Sequence, residues 1–164
     1  MNSQPAVLGR IRAHHDRLGR TISGHAGAIA RSIDQGRSPA AEQAAMAAFC
    51  ADELLPHAAA EEKTFYRTAA ELPATKLLVQ AMQDEHAILK RLAGDLGAAT
   101  APGEVVSASS ALDVLFGTHL RKENDILLPA LAEHGIDLAA LLGDTHEILG
   151  EPTTETGHGH GGTG

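Results

Sequence analysis

The sequence predicts an all-α protein, a four-helix bundle with up-down-up-down topology. Hydrophobic residues make up 43% of the 164 residues, but aromatic residues make up only 2% and tryptophan is absent. A core of Ala, Leu, Ile and Val with few β-branched or aromatic runs favours helices over sheets. Apolar residues recur every three or four positions in four long segments, and the connections between these segments are short. Short connections make neighbouring long helices antiparallel.

The four helices are predicted over residues 7–34, 39–72, 73–97 and 104–133. Ser38-Pro39 is a helix start signal, an N-cap followed by proline at the first helical position. Pro56 and Pro129 fall inside predicted helices, where each removes a backbone hydrogen bond. Because the apolar period continues on both sides, we expect a kink at each proline and not the end of a helix.

The domain organisation is predicted to be simple. Residues 1–150 form the bundle, with a further short helix at 136–142 packed across one end. Residues 151–164 are rich in Pro, Thr, Gly and His and are predicted to be disordered, because they cannot bury a core. His158 and His160 in this tail could bind a stray divalent metal, although solvated side chains are the preferred interpretation.

Charge and composition argue against several classes of partner. The formal net charge is −8, and no dense block of Lys or Arg is present, so nucleic acid and anionic membrane surfaces are not expected partners. The N-terminus lacks the apolar core of a signal peptide, and no stretch approaches the roughly 20 apolar residues of a membrane span. We therefore expect a soluble, cytoplasmic protein. The single cysteine, Cys50, is predicted to be a buried thiol.

Two His-x-x-x-Glu pairs carry the strongest chemical signal. His57 and Glu61 lie in the second helix, and His119 and Glu123 lie in the fourth. Residues at i and i+4 share one helix face, so an imidazole nitrogen and a carboxylate oxygen can converge on one ion about 2 Å from each.

The first and third helices contribute single histidines. His86 lies on the apolar stripe of the third helix, one turn from Met82. His15 lies on the core stripe of the first helix, four residues after Ile11, whereas His14 is rotated by about 100°. His15 is preferred, and His14 stays an alternative.

These residues form a repeated pattern of one histidine followed by His-x-x-x-Glu. In a bundle the two halves would present four histidines and two glutamates to one cavity, which suits two metal ions bridged by carboxylates. One pair or one histidine is a weak signal, but burying six such groups without metal or partners would cost several kcal/mol. Imidazole and carboxylate without thiolate favour iron or manganese over structural zinc. The predicted ligands are His15, His57, Glu61, His86, His119 and Glu123.

At these residues the sequence resembles the hemerythrin-like, HHE cation-binding family, over about residues 7–134. The resemblance implies that the six residues ligate two non-haem iron ions. It also implies that Glu61 and Glu123 bridge the ions, with an oxo or hydroxo group or water between them. An open position on one iron would then receive O2, NO or peroxide.

The chain departs from oxygen-carrying hemerythrins at two positions. Lys90 replaces a second histidine of the third helix, and the fourth helix has Glu123 and Asn124 where those proteins have an aspartate five residues after the histidine. The missing imidazole favours peroxide or NO chemistry over reversible O2 carriage. Glu62, Tyr66 or Glu85 could fill the gap, with core packing preferred for Tyr66.

The pattern is compatible with three functions. The first is a di-iron protein that binds or turns over O2, NO or hydrogen peroxide, with enzymatic activity left open. The second is an iron or redox sensor, or an iron-buffering module, in which the metal orders the bundle. The third, a metal-free interaction bundle, is the least expected.

Overall fold

The computed structural model describes residues 3–143 and 145–150, and these residues contain helices and no strand. The prediction of an all-α bundle is confirmed, whereas the up-down-up-down order stays a prediction. The helices are α1 (Gln4–Asp34), α2 (Ala40–Phe49), α3 (Leu55–Lys63), α4 (Phe65–Glu71), α5 (Lys76–Ala98), α6 (Pro102–Lys122), α7 (Leu128–Glu133), α8 (Leu138–Leu142) and α9 (His146–Leu149). Two π-helical turns, Cys50–Leu54 and Glu123–Leu127, join α2 to α3 and α6 to α7.

Each internal proline follows a π-helical turn, and the helix continues beyond it. The wider turn is closed by hydrogen bonds across five residues, from Leu55 N–H to the Cys50 carbonyl and from Leu128 N–H to the Glu123 carbonyl. Pro56 and Pro129 then fall within the first two positions of α3 and α7, where no backbone N–H is required. Next to each proline, where a kink is predicted, the structure therefore has a π turn.

The second predicted helix, 39–72, contains one break that the sequence did not reveal. Thr64 leaves the helical conformation, with φ −112° and ψ −107°, and separates α3 from α4. Its hydroxyl donates to the carbonyl of Ala60 at 2.7 Å. Helical turns resume at Phe65, so the segment still packs as one side of the bundle.

The interior consists of two apolar clusters with a polar layer between them. The upper cluster includes Leu18, Leu54, Leu89 and Phe116. The lower cluster includes Ile11, Phe65, Met82 and Leu127. Each of the four long helical segments has residues in both clusters. All four segments therefore cross the same polar layer.

The C-terminal part differs from the prediction by one element. The short helix expected at 136–142 is observed as α8, and the Asp137 side chain caps it by accepting from Ala140 N–H at 3.1 Å. The additional helix α9 was not predicted, and it buries Ile148 and Leu149 in the lower cluster. The predicted disordered tail, 151–164, lies outside the described residues.

Two further expectations concern single features. Cys50 is buried, and burial raises the pKa of its thiol to about 11, which makes it a poor nucleophile. Among the described helices, none combines the length and the apolar character that crossing a bilayer requires.

The upper cluster supplies the first testable prediction. Leu96 is 0% exposed and Leu77 is 77% exposed, and both lie on α5. Leu96→Ala should lower the free energy of unfolding by about 2–5 kcal/mol, because it leaves a cavity in the packed core. Leu77→Ala, the matched control, should change it by no more than about 0.5 kcal/mol. Urea unfolding of the metal-free protein measures both; equal losses would contradict the packing described.

Candidate metal centre

The polar layer brings together all six side chains that the sequence singled out. All six lie between residues of the upper cluster and residues of the lower cluster. Their exposed fractions range from 0% to 6%. The six are His15 on α1, His57 and Glu61 on α3, His86 on α5, His119 on α6 and Glu123 at the start of the second π turn.

Four of these residues form a first donor cluster, which we call cluster 1: His15, His57, Glu61 and Glu123. One donor atom from each lies within 4.8 Å of the others. Nε2 of His57 is 2.9 Å from Oε1 of Glu61, and Nε2 of His15 is 3.5 Å from the same oxygen. Nε2 of His15 is also 3.6 Å from Oε2 of Glu123.

A second donor cluster, cluster 2, consists of Glu61, His86, His119 and Glu123, again within 4.8 Å. Nε2 of His86 is 3.5 Å from Oε2 of Glu61, and Nε2 of His119 is 3.5 Å from Oε1 of Glu123. The two imidazole Nε2 atoms are 3.0 Å apart. Glu61 and Glu123 thus belong to both clusters and offer different oxygens to each side.

The donor atoms fit a metal centre because many of them have no protein partner. Among the residues that the structure describes, the buried side-chain atoms without a hydrogen bond are Nε2 of His15, Nε2 of His57, both oxygens of Glu61 and Oε2 of Glu123. The short His57–Glu61 approach lacks the alignment of a hydrogen bond. Buried polar atoms normally have a hydrogen-bond partner, so five atoms without one in a single layer fit a cation-binding site. Imidazole and carboxylate donors suit iron or manganese.

The outer nitrogen of each histidine is hydrogen-bonded, which turns Nε2 toward the carboxylates. Such outer partners orient ligands and set their tautomers in metal sites. Nδ1 of His15 meets Oδ1 of Asn124 at 2.8 Å, Nδ1 of His57 meets the Glu147 carbonyl at 2.5 Å, Nδ1 of His86 meets Glu62 at 2.8 Å and Nδ1 of His119 meets Glu85 at 2.8 Å.

Sequence reasoning only partly found these outer partners. Glu62 and Glu85 were candidates to fill the gap left by Lys90, but they lie against outer nitrogens and belong to neither donor cluster. The sequence singles out Asn124 only as a departure from an aspartate. Position along the chain could have identified these outer partners, because Glu62, Glu85 and Asn124 are each adjacent in sequence to a predicted ligand. Glu147 acts through its backbone, so no side-chain pattern could reveal it.

Tyr66 is buried in the lower cluster, and its hydroxyl faces cluster 2. The hydroxyl donates to Oε1 of Glu123 and lies 3.2 Å from Nε2 of His119. Its ring stacks on His86, with centroids 5.3 Å apart and an interplanar angle of 6°. Tyr66 therefore packs in the core, which was the preferred expectation, and it also contacts the donor residues of cluster 2.

His14, the alternative to His15, belongs to neither donor cluster. Its Nε2 is 3.0 Å from the Glu147 carbonyl, and its Nδ1 is 3.3 Å from Arg17. Burial, the neighbouring His57 and Arg17 lower the pKa of His14 to about 4.

Other histidines lie away from the two clusters. His134 and His146 are exposed, and the ring of His25 packs near Phe49. His158 and His160 lie outside the described residues. Lys90 is exposed and borders a surface cavity of about 300 Å³ beside His86.

Charges in the layer balance one another in the absence of metal. Burial by itself would raise the pKa of Glu61, but the positive charge of His57 and contacts from His15 and His86 hold it well below its ordinary value. Burial by itself would lower the pKa of His57, but the charge of Glu61 raises it to about 8. Burial would likewise lower the pKa of His119, but Glu123 raises it to about 9.

Comparison with known proteins decides the family. Residues 6–131, more than half of the chain, match the family model described as the hemerythrin HHE cation binding domain. The chain belongs to this family. No curated protein and no solved structure matches the chain. The resemblance inferred from the histidine and glutamate pattern is therefore confirmed, and the protein is a metal-binding helical domain of the hemerythrin HHE family.

The second prediction concerns the pH dependence of the metal-free protein. His57 and His119 have folded-state pKa values above the ordinary 6.5, so their protonated forms favour folding. This contribution is fully present below about pH 6.5 and is lost as the pH rises through about 8 to 9. The melting temperature should therefore fall over this range in metal-free buffer. An exposed-site control, His134→Gln, should show the same fall, and a flat or rising profile for the unsubstituted chain would refute the charge assignment.

Proposed function

We propose that this protein is a non-haem di-iron protein that binds or turns over a small oxidant, namely O2, NO or hydrogen peroxide. The supporting observation is the pair of four-residue donor clusters that share Glu61 and Glu123. Two carboxylates common to two imidazole pairs are what a bridged two-metal centre requires. When bound, iron would supply the redox chemistry, which no side chain of the layer can provide.

In this proposal each side chain of the layer has a defined task. His15 and His57 would hold one ion, and His86 and His119 would hold the other. Glu61 and Glu123, which belong to both clusters, would be shared between the two positions and would neutralise their charge. The apolar clusters above and below exclude water from the layer, which strengthens electrostatic interactions inside it.

Tyr66 holds a proton next to the proposed second position. Burial, followed by the charges of Glu123 and Glu61, raises the pKa of Tyr66 far above its ordinary value, so the hydroxyl stays protonated in the metal-free protein. The hydroxyl donates to Oε1 of Glu123 and lies 3.2 Å from Nε2 of His119. Lys90 stands where oxygen-carrying hemerythrins have a further histidine; it is exposed and would leave room for such a ligand beside His86.

The third prediction tests the ligand assignment by metal content. Aerobically purified protein should contain about two irons per chain and show a near-ultraviolet oxo-to-iron absorption band. Glu61→Ala removes a donor shared by both clusters and should lower iron content the most. His119→Ala removes a donor of cluster 2 alone and should lower it less.

His25→Ala is the matched control, because His25 lies outside both clusters, and it should leave iron content unchanged. Iron retained undiminished in both Glu61→Ala and His119→Ala would overturn the site assignment. Metal analysis together with the optical spectrum measures all four proteins.

A second candidate is an iron or redox sensor, or an iron-buffering module, in which metal orders the bundle. The five unpartnered buried atoms favour it, because a cation that satisfies them also stabilises the fold. The same residues would hold the ion, but no turnover would be required.

The fourth prediction separates the two candidates. The iron-loaded protein should consume hydrogen peroxide or bind O2 or NO. In the His119→Ala variant this activity should be lower by a factor of about ten or more. Large loss of helicity on chelation, without any reaction of the loaded protein with these oxidants, would support the sensor and contradict oxidant turnover. Peroxide consumption and circular dichroism measured on the same samples distinguish these outcomes.

A further inference from the structure

A short C-terminal segment, which we call the clasp (residues 145–150), lies against cluster 1. It contains α9, which packs on α1 and α3. The clasp lies outside the region matched by the family, which ends at residue 131. Its contact with the metal centre is therefore a feature of this chain that the family assignment does not provide.

Apolar side chains anchor the clasp. Ile148 is 0% exposed and Leu149 is 3% exposed, and both belong to the lower apolar cluster. Removing two such side chains from water stabilises the packed position of a short segment. Packing of these two side chains therefore determines where the backbone of the clasp lies against α3.

The anchored backbone presents one carbonyl to two buried imidazoles. The Glu147 carbonyl lies 2.5 Å from Nδ1 of His57 and 3.0 Å from Nε2 of His14. A carbonyl oxygen only accepts hydrogen bonds, so His57 must carry its proton on Nδ1 when it is neutral. Nε2 of His57 is then free for a metal, and it points toward Glu61.

The end of the clasp is adapted to this close approach. Gly150 has φ +69°, a left-handed conformation that favours glycine. A Cβ atom at this position would lie 3.0 Å from Nδ1 of His14. A larger residue would therefore move the clasp away from α1 or displace His14, which shares the Glu147 carbonyl with His57.

We propose that the clasp is a positioning element of the metal centre, and that its Glu147 carbonyl holds His57 in the orientation and tautomer that cluster 1 needs to retain metal. The proposal rests on the proposed metal centre. The glutamate side chain takes no part, because the contact is made by the backbone. Detaching the clasp should weaken metal binding at cluster 1 while the remainder of the bundle stays folded.

The fifth prediction uses zinc, which is redox-inert, as a probe of affinity in the full chain. Leu149→Ala loosens the clasp and should lower zinc affinity by about 10–100-fold, the usual effect of losing an outer partner of a metal ligand. Leu131→Ala removes the same side chain from the same apolar cluster, but on α7, and should change affinity far less. Glu147→Ala keeps the carbonyl and should match the unsubstituted chain. Competition with a chelator measures these affinities.

A second variant and a second readout keep the test decisive. Gly150→Val should lower affinity in the same direction as Leu149→Ala, because it displaces the clasp without removing core volume. In the zinc-loaded chain, the imidazole NMR signal of the His57 Nδ1–H should be protected from exchange, and both variants should lose this protection. Equal affinities for Leu149→Ala and Leu131→Ala, or retained protection, would overturn the proposal. Failure of the unsubstituted chain to bind zinc would instead count against the proposed metal centre.

Discussion

Two carboxylates, Glu61 and Glu123, are fully removed from water in the middle of the bundle, and their charge has to be balanced from inside. Four imidazoles surround them, and each turns one nitrogen toward the carboxylates and the other toward an outer hydrogen-bond acceptor. Burial of unpaired charge is costly, so protons on the histidines or bound cations must accompany the carboxylates. The polar layer is stable only with such partners, and the rest of the fold positions them.

Backbone geometry adapts to this layer. The first π turn ends three residues before His57, and the second begins at Glu123. A π turn inserts one residue into the helical repeat, which rotates the side chains that follow and lets proline be accommodated without breaking the helix. The proposed ligands are thereby carried on helices that continue into both apolar clusters. Rigid helices on four sides fix donor positions more firmly than loops would.

The position of each predicted ligand could be read from sequence because helix periodicity is local. His57 and Glu61, spaced by four, necessarily share a face, and His15 and His86 fall on apolar stripes. Outer partners were harder to assign. Glu62 and Glu85 were visible as nearby carboxylates, but their roles depend on which neighbouring helix they face. Pro56 and Pro129 indicated a disturbance near each π turn, whereas the break at Thr64 had no such local signal.

The all-α class, the family and the set of inward-facing imidazoles and carboxylates can be predicted from the amino-acid sequence, because they follow from composition and from spacing along single helices. Contacts between helices are needed to show that Glu61 and Glu123 are shared between two donor clusters, that Tyr66 donates to Glu123, and that the Glu147 carbonyl contacts His57. These features join residues on different helices, or use backbone atoms common to every residue. Their geometry is fixed by the packing of helices against one another, which residue spacing along one helix does not encode.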